Sequence, residues 1–478
     1  MNRIRRLIPA IFLIILTAGC QSIDEHIDKG QFDMAKKKIN KKIASGTLAP
    51  SRRIELENKK ELMHRIEMDF NKTREDILPY IEQYYPDVSN EQIRSWEEEK
   101  ALEYMIINGE KRYFARAVQN LFRINKEAKA RKQKIEGKQK DNLDRFLESY
   151  IPPLIKDLKD KEKTTGKEHE MKFTFTLTVD ADAVPDGEVI RCWLPFPREG
   201  NIRQEDVKFL SAGCDNYVLA SNDLLQRTLY MQKPATAGEP TVFETAFSTS
   251  TKAQWIDLKS ADIKPYDKST ELYRHFTAER SPHLLFTQKI KEMSEKIVGD
   301  EKDPYLIARK IFKYINDNYP WASAREYSTI ENIPEYVIEN KHGDCGQVTL
   351  LFMVLARYNG IPARWQSGWM LHPGSKNLHD WCEIYFEGIG WVPVDQSFGL
   401  VESDDEDVHW FFLGGMDAYR LIVNDDYART LFPAKNYMRS ETNDFQRGEV
   451  EWRGGNLYFD QWDYHLEIEY VNPKERKF

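Results

Sequence analysis

The sequence predicts an α+β protein built from three regions. Three observations predict it. Apolar residues recur at helical spacing through a heavily charged stretch, residues 21–165. Apolar and polar residues then alternate with period two through residues 170–260. A segment apolar on nearly every helical face, followed by two strands, lies in residues 265–478. The 478 residues exceed one ordinary domain and suit two or three. Hydrophobic residues make up 41% and charged residues 31%, the balance of a globular chain rather than a disordered one. A net charge of -8 and a pI of about 5.8 argue against nucleic acid as the main partner, since phosphate binding wants a basic surface.

The first element, residues 1–20, is a targeting segment. Arg3, Arg5 and Arg6 form a basic head, and Leu7 to Leu16 an apolar stretch too short to cross a bilayer unaided. Thr17, Ala18, Gly19 and Cys20 resemble a bacterial lipobox, in which lipid is attached to the Cys and the peptide is cut before it. Thr17 stands where that pattern prefers Leu. A secretory signal with an incidental Cys is the alternative. The resemblance implies a lipoprotein tethered through Cys20 at the cell envelope, on the outer membrane, its periplasmic face or the cell surface. Beyond this segment no run is long and apolar enough to span a membrane.

In residues 21–165, Phe32, Ala35, Ile39 and Ile43 share one helical face, as do Phe114, Ala117, Leu121 and Ile124. The basic run Lys126 to Lys140 reads as a solvated helix face or linker, although a protein partner for this region is conceivable. In residues 170–260, Phe173, Phe175, Leu177 and Val179 alternate with threonines, and Pro185, Asp186 and Gly187 supply a turn. Thr241 to Ser250 is a later strand. A small antiparallel β-sandwich follows from these. Five cysteines are present: Cys20, Cys192, Cys214, Cys345 and Cys382. With no CxxC pair, a structural zinc site is not expected. Cys192 and Cys214, within one β region, are the pair open to a disulfide.

The third region holds the chemistry. Asp303 caps a helix with Pro304 at its first position, and Leu306, Ile307, Ile311, Phe312 and Ile315 form its apolar face. A loop then leads to Cys345, from which an all-round apolar helix runs until Asn359, Gly360 and Pro362 stop it. A thiol at a helix N-terminus meets unpaired N–H groups and the helix dipole, which predicts a lowered pKa. Gly343 and Gly346 are expected to leave room for a substrate. His379 and Asp395 fall on two strands joined by a hairpin turn at Glu387 to Gly390. Imidazole can take a thiol's proton and later protonate a leaving amine, and a carboxylate fixes its tautomer. Asp395 reaches His379 only if it shares a strand face, opposite Trp381 or Glu383, which requires a bulge at Gly388 or Gly390.

Together, Gly343-Asp344-Cys345 opening an apolar helix, Arg357 to Arg364 (RYNGIPAR), His379-Asp380-Trp381 with Glu383, and Gly390-Trp391 with Asp395 resemble the core of the transglutaminase-like superfamily. That superfamily includes transglutaminases, peptide N-glycanases and bacterial cysteine peptidases. The resemblance implies a papain-like core, a buried nucleophile helix packed on an antiparallel sheet, with Cys345 as nucleophile, His379 as base and Asp395 as orienter. It also suggests an aromatic oxyanion donor upstream, for which Trp321 and Tyr319 are candidates. The expected reaction is acyl transfer at an amide through a thioester on Cys345, with a peptide or protein substrate. Hydrolysis is favoured; amine-accepting cross-linking and a non-catalytic envelope scaffold are the alternatives. No HExxH, Walker loop or dinucleotide fingerprint occurs, so no cofactor or metal is called for. The acidic run Glu402 to Trp410 could hold calcium but reads better as a solvated loop.

Overall fold

The structure, a computed structural model, describes residues 21–137 and 140–471. The expected signal segment, with Cys20, lies outside the described residues.

The N-terminal region contains α1 (Ile23–Asp28), α2 (Phe32–Ala44), α3 (Pro50–Asp69), α4 (Arg74–Glu82), α5 (Asn90–Glu98), a hairpin of β1 (Tyr104–Ile107) and β2 (Glu110–Tyr113), then α6 (Ala117–Ile124), α7 (Lys126–Glu136) and α8 (Asn142–Asp160). Phe32, Ala35 and Ile39 of α2 pack with Leu56 and Met63 of α3 in a core of their own. The hairpin departs from the helical expectation. Asn108 and Gly109 both adopt positive φ, the two-residue turn that Asn-Gly favours. Helix α8 belongs elsewhere: Phe146, Ile151 and Ile155 bury into the main core of the molecule.

Six strands follow: β3 (Thr165–Val179), β4 (Val189–Pro195), β5 (Gln204–Ala212), β6 (Tyr217–Leu219), β7 (Thr228–Pro234) and β8 (Thr241–Trp255). The last region holds α9 (Glu271–Thr277), α10 (Gln288–Val298), α11 (Pro304–Asn318), α12 (Ile333–Asn340), α13 (Cys345–Tyr358), β9 (Ala363–His372), β10 (Ser375–Phe386), β11 (Gly390–Val394), α14 (Glu406–His409), β12 (Gly415–Met416), β13 (Arg420–Asn424), β14 (Glu449–Trp452), β15 (Gly455–Leu457) and β16 (Trp462–Tyr470). Where the sequence suggested only a loop before Cys345, α12 intervenes, capped by Asn332 and closed by Lys341 in the left-handed region.

The sheets do not respect the expected cut near residue 265. One five-stranded sheet runs β12-β8-β3-β16, with β5 also paired to β8, and the other runs β15-β14-β4-β7-β6. Four of these strands come from beyond residue 410. Of the strands beyond residue 410, only β13 joins the core sheet, giving the antiparallel order β11-β10-β9-β13. The physical reason is that β3 and β4 each have an edge open to pairing, and the long return of the chain reaches both. Trp369 of β9 joins the layers, stacking on Phe175 at 5.3 Å between ring centroids. Cys192 and Cys214 are both free thiols, the first fully buried, so the disulfide considered from sequence is not formed.

Candidate active site

Asp344 caps α13: its carboxylate accepts from the Gln347 amide at 3.0 Å, while the Gln347 side chain accepts from the Asp344 amide. Cys345 is therefore the first residue of a helix whose body is buried against β9 and β10. Its sulfur lies 3.5 Å from Oδ2 of Asp380, on a cleft of about 220 Å³ lined also by Trp321, Tyr327, Asp344 and Asp444.

The hairpin carrying the other two candidates has the even register. Phe386 pairs with Gly390 and Cys382 with Val394, so continuing the ladder sets Asp395 opposite Trp381. Gly388 and Gly390 take positive φ (85° and 99°), absorbing the extra residue in the turn. Asp395 consequently shares the face of His379, and Nε2 of His379 lies 2.7 Å from its Oδ2. A carboxylate only accepts, so Nε2 carries the proton and Nδ1 keeps the lone pair. Because β11 ends opposite Cys382, the edge of β10 at His379 and Asp380 is not covered by that strand.

A chain of buried ionisable groups extends behind Asp395. Nη2 of Arg420 lies 3.2 Å from Asp395, Nε of Arg420 3.1 Å from Asp417, and Nε2 of His372 3.0 Å from Asp417. Burial would raise the Asp395 carboxyl, but His379 and Arg420 outweigh it and hold it below the ordinary range. Burial, aided by Arg420, lowers the His379 imidazole despite Asp395. A neutral imidazole over an ionised carboxylate is the protonation state of a general base.

The Cys345 thiol corrects the sequence reading. Burial pushes it well above its ordinary value, and the carboxyls of Asp380 and Asp344 push in the same direction; the Asp380 backbone amide opposes them. The helix N-terminus is present, but its effect is overcome by desolvation and acidic neighbours. The glycines also differ from expectation. A Cβ on Gly346 would stand 2.3 Å from the Tyr327 hydroxyl and 2.6 Å from Asp380 Oδ2. A Cβ on Gly343 would press on Val337, Gln347 and Val348. Protein side chains, not open space, occupy the room these glycines leave.

Of the aromatic candidates, Trp321 lines the cleft, 44% exposed, with the Arg123 guanidinium over its ring. Tyr319 closes α11 with its ring against Tyr314 and is not among the cleft residues. Tyr327 was missed: its hydroxyl donates to Asp344 at 2.6 Å and lies 3.4 Å from Asp380. Arg420, Asp417 and His372 carried no local signal either. The acidic run is tied to cations: Glu406 pairs with Arg309, and Asp407 with Lys159 and Lys259. Among the described residues no cluster of His, Cys, Asp or Glu is arranged to hold a metal ion.

Residues 291–396, which span the nucleophile helix and both strands of the His379–Asp395 hairpin, match the family model of the transglutaminase-like superfamily. This segment is a transglutaminase-like domain. An uncharacterized protein of Haemophilus influenzae is 25% identical over 269 residues, covering 47% of this chain and 68% of that protein. The uncharacterized protein YebA of Bacillus subtilis is 25% identical over 131 residues; the match spans 24% of this chain and only 18% of YebA. Among solved structures, a candidate cysteine protease from Cytophaga hutchinsonii is similar with a TM-score of 0.43 and 14% identity, over 64% of this chain and 92% of that one. The periplasmic domain of TgpA from Pseudomonas aeruginosa is similar with a TM-score of 0.25 and 12% identity, over 47% and 88%. The transglutaminase-like domain here has the mixed, antiparallel α+β architecture of its superfamily.

Proposed function

We propose that the protein is a cysteine-dependent acyltransferase acting on amide bonds, with water as the acceptor. The observation that carries the reading is the His379–Asp395 pair, which takes Nε2 and leaves Nδ1 with its lone pair, while Cys345 opens α13 on the cleft and meets β10 at Asp380, whose side chain leaves the strand on the face opposite His379. Nδ1 takes the thiol proton as sulfur attacks the carbonyl carbon. The tetrahedral adduct collapses to a thioester, the C–N bond breaks, and the imidazolium returns the proton to the departing amine. Water then attacks the thioester, giving its proton to Nδ1, and the acid leaves as Cys345 is regenerated. Because the thiol sits in an acidic, buried setting, proton removal accompanies attack rather than preceding it.

The test is to incubate the protein with a library of peptide amides, with and without an added primary amine, and identify products by mass. Acid products that vanish in Cys345→Ala support the reading. Amine adducts in place of acids would make it a cross-linking enzyme. Binding without turnover would make it a scaffold. A lipid tether at the envelope belongs to the same proposal. It rests on the basic, apolar and small-residue order before Cys20, and no helix among the described residues is long and apolar enough to cross a membrane. Cys20→Ser should move the protein from the detergent to the aqueous phase of an extraction.

A further inference from the structure

We infer that the cleft takes a substrate bearing a positive charge beside the bond that Cys345 attacks: an ammonium or guanidinium group. The inference rests on Cys345 being the nucleophile. Three carboxyls, Asp344, Asp380 and Asp444, line the cleft with no cation paired to any of them among the described residues. The two arginines on the same wall are already engaged. Arg447 holds Glu326 at 3.0 Å and Glu441 at 2.8 Å, and Arg325 faces Glu103 at 3.8 Å. The contacts that Asp380 does make are to neutral groups: Gln446 Nε2 at 2.9 Å, the Cys345 thiol at 3.5 Å, and at 3.4 Å the Tyr327 hydroxyl, whose proton goes to Asp344. Oδ1 of Asp444 is buried without a partner.

A second polar group points to the same ligand class. Asn443 lines the cleft and is 2% exposed. Nδ1 of His283 accepts from the Ile333 amide, so its Nε2 carries the proton and donates to Asn443 Oδ1. The Asn443 amide nitrogen is therefore the free end, and it is buried without a partner. A donor awaiting a carbonyl next to carboxyls awaiting a cation fits a basic residue of a peptide.

The arrangement couples binding to chemistry. In the empty cleft burial, together with their mutual repulsion, raises the carboxyls of Asp380 and Asp444, and burial with these acidic neighbours holds the thiol protonated. A bound cation stabilises their ionised forms and removes their pressure on the thiolate. An anionic group gains no such partner, since it favours the protonated carboxyls.

The charge preference can be read without knowing the substrate. The protein is treated at pH 7.5 with methyl, 2-aminoethyl and 2-sulfonatoethyl methanethiosulfonates, and modification of Cys345 is timed by mass spectrometry. The expected aminoethyl-to-sulfonatoethyl rate ratio is at least tenfold above that of N-acetylcysteine amide. Asp444→Asn should cut the ratio several-fold, as should 0.5 M salt. A ratio equal to the small thiol's, with brisk reaction toward the methyl reagent, would overturn the charge preference and leave the nucleophile standing. A thiol inert to all three would overturn both, since a cleft closed to an aminoethyl group cannot admit a basic side chain. Acyl donors with Lys, norleucine or Glu, each acetylated or with a free amino terminus, then identify the source. Faster turnover of the acetylated Lys peptide assigns the side chain, and of the free-amine norleucine peptide the terminus. Fastest turnover of the Glu peptide would refute the inference.

Discussion

At Cys345 two influences oppose each other. The first turn of α13 favours the thiolate, while burial and the carboxyls of Asp344 and Asp380 favour the thiol, and the second set prevails. Alkylation by iodoacetamide should therefore be slow at pH 6 and still rising above pH 9, and Asp380→Asn should move the rise to lower pH. A plateau reached by pH 7, followed by mass spectrometry of the labelled peptide, would contradict this account. Arg420 acts one residue further back. It joins His379 in holding Asp395 ionised and adds to the burial that lowers the His379 imidazole. Removing it in Arg420→Gln should raise the His379 pKa. Since the base must be neutral, the acid limb of the kcat/KM profile should shift to higher pH. Breaking a buried ionic network of this kind typically costs about 3–5 kcal/mol, so the melting temperature should fall as well. A lowered melting temperature with an unmoved profile would make Arg420 structural only.

At the scale of elements, α13 and the cleft loop, residues 324–328, are held by close approach. Gly346→Ala sets a methyl against Tyr327 and Asp380, and should lower activity more than tenfold by displacing Cys345, measured as loss of product in the amide assay. The cleft loop is also gripped from outside by α3. Asp69 accepts from the Glu326 amide and the Thr329 hydroxyl, and burial pushes its carboxyl up to about 7. A carboxyl with a raised folded pKa is stabilising while protonated. Its contribution falls as pH rises from the ordinary carboxylate range through about 7. Asp69→Asn should match the wild type in thermal melts at pH 4 and exceed it at pH 8. Equal melting temperatures at both pH values would show that Asp69 carries no such linkage.

Across the whole molecule, the chain beyond the transglutaminase-like segment returns to the sandwich. Strands β12, β14, β15 and β16 lie beyond the core in sequence yet complete the sandwich sheets, and Trp369 packs between the two. A fragment of residues 265–478 would leave β16 and β14 with open edges and should be insoluble, whereas residues 140–478 should yield soluble protein with a cooperative melt. A soluble, cooperatively melting 265–478 fragment would argue for an independent core.

What the sequence determined by itself is local. The helix from Cys345 and its stop follow from composition within twenty residues, because a helix apolar all round has one environment open to it. The even register of the His379–Asp395 hairpin was also legible, since a two-residue period and two glycines leave one arrangement that joins the pair. The remainder depended on groups remote in the chain. Arg420, Asp417 and His372 meet behind Asp395 only once β13 pairs with β9, and Asp444 reaches the cleft through a long return loop. The protonation of the thiol turned on its burial and on the carboxyls of Asp380, Asp344 and Asp444 around it, because electrostatic energy depends on distance in space and on burial, and neither is written in the order of residues.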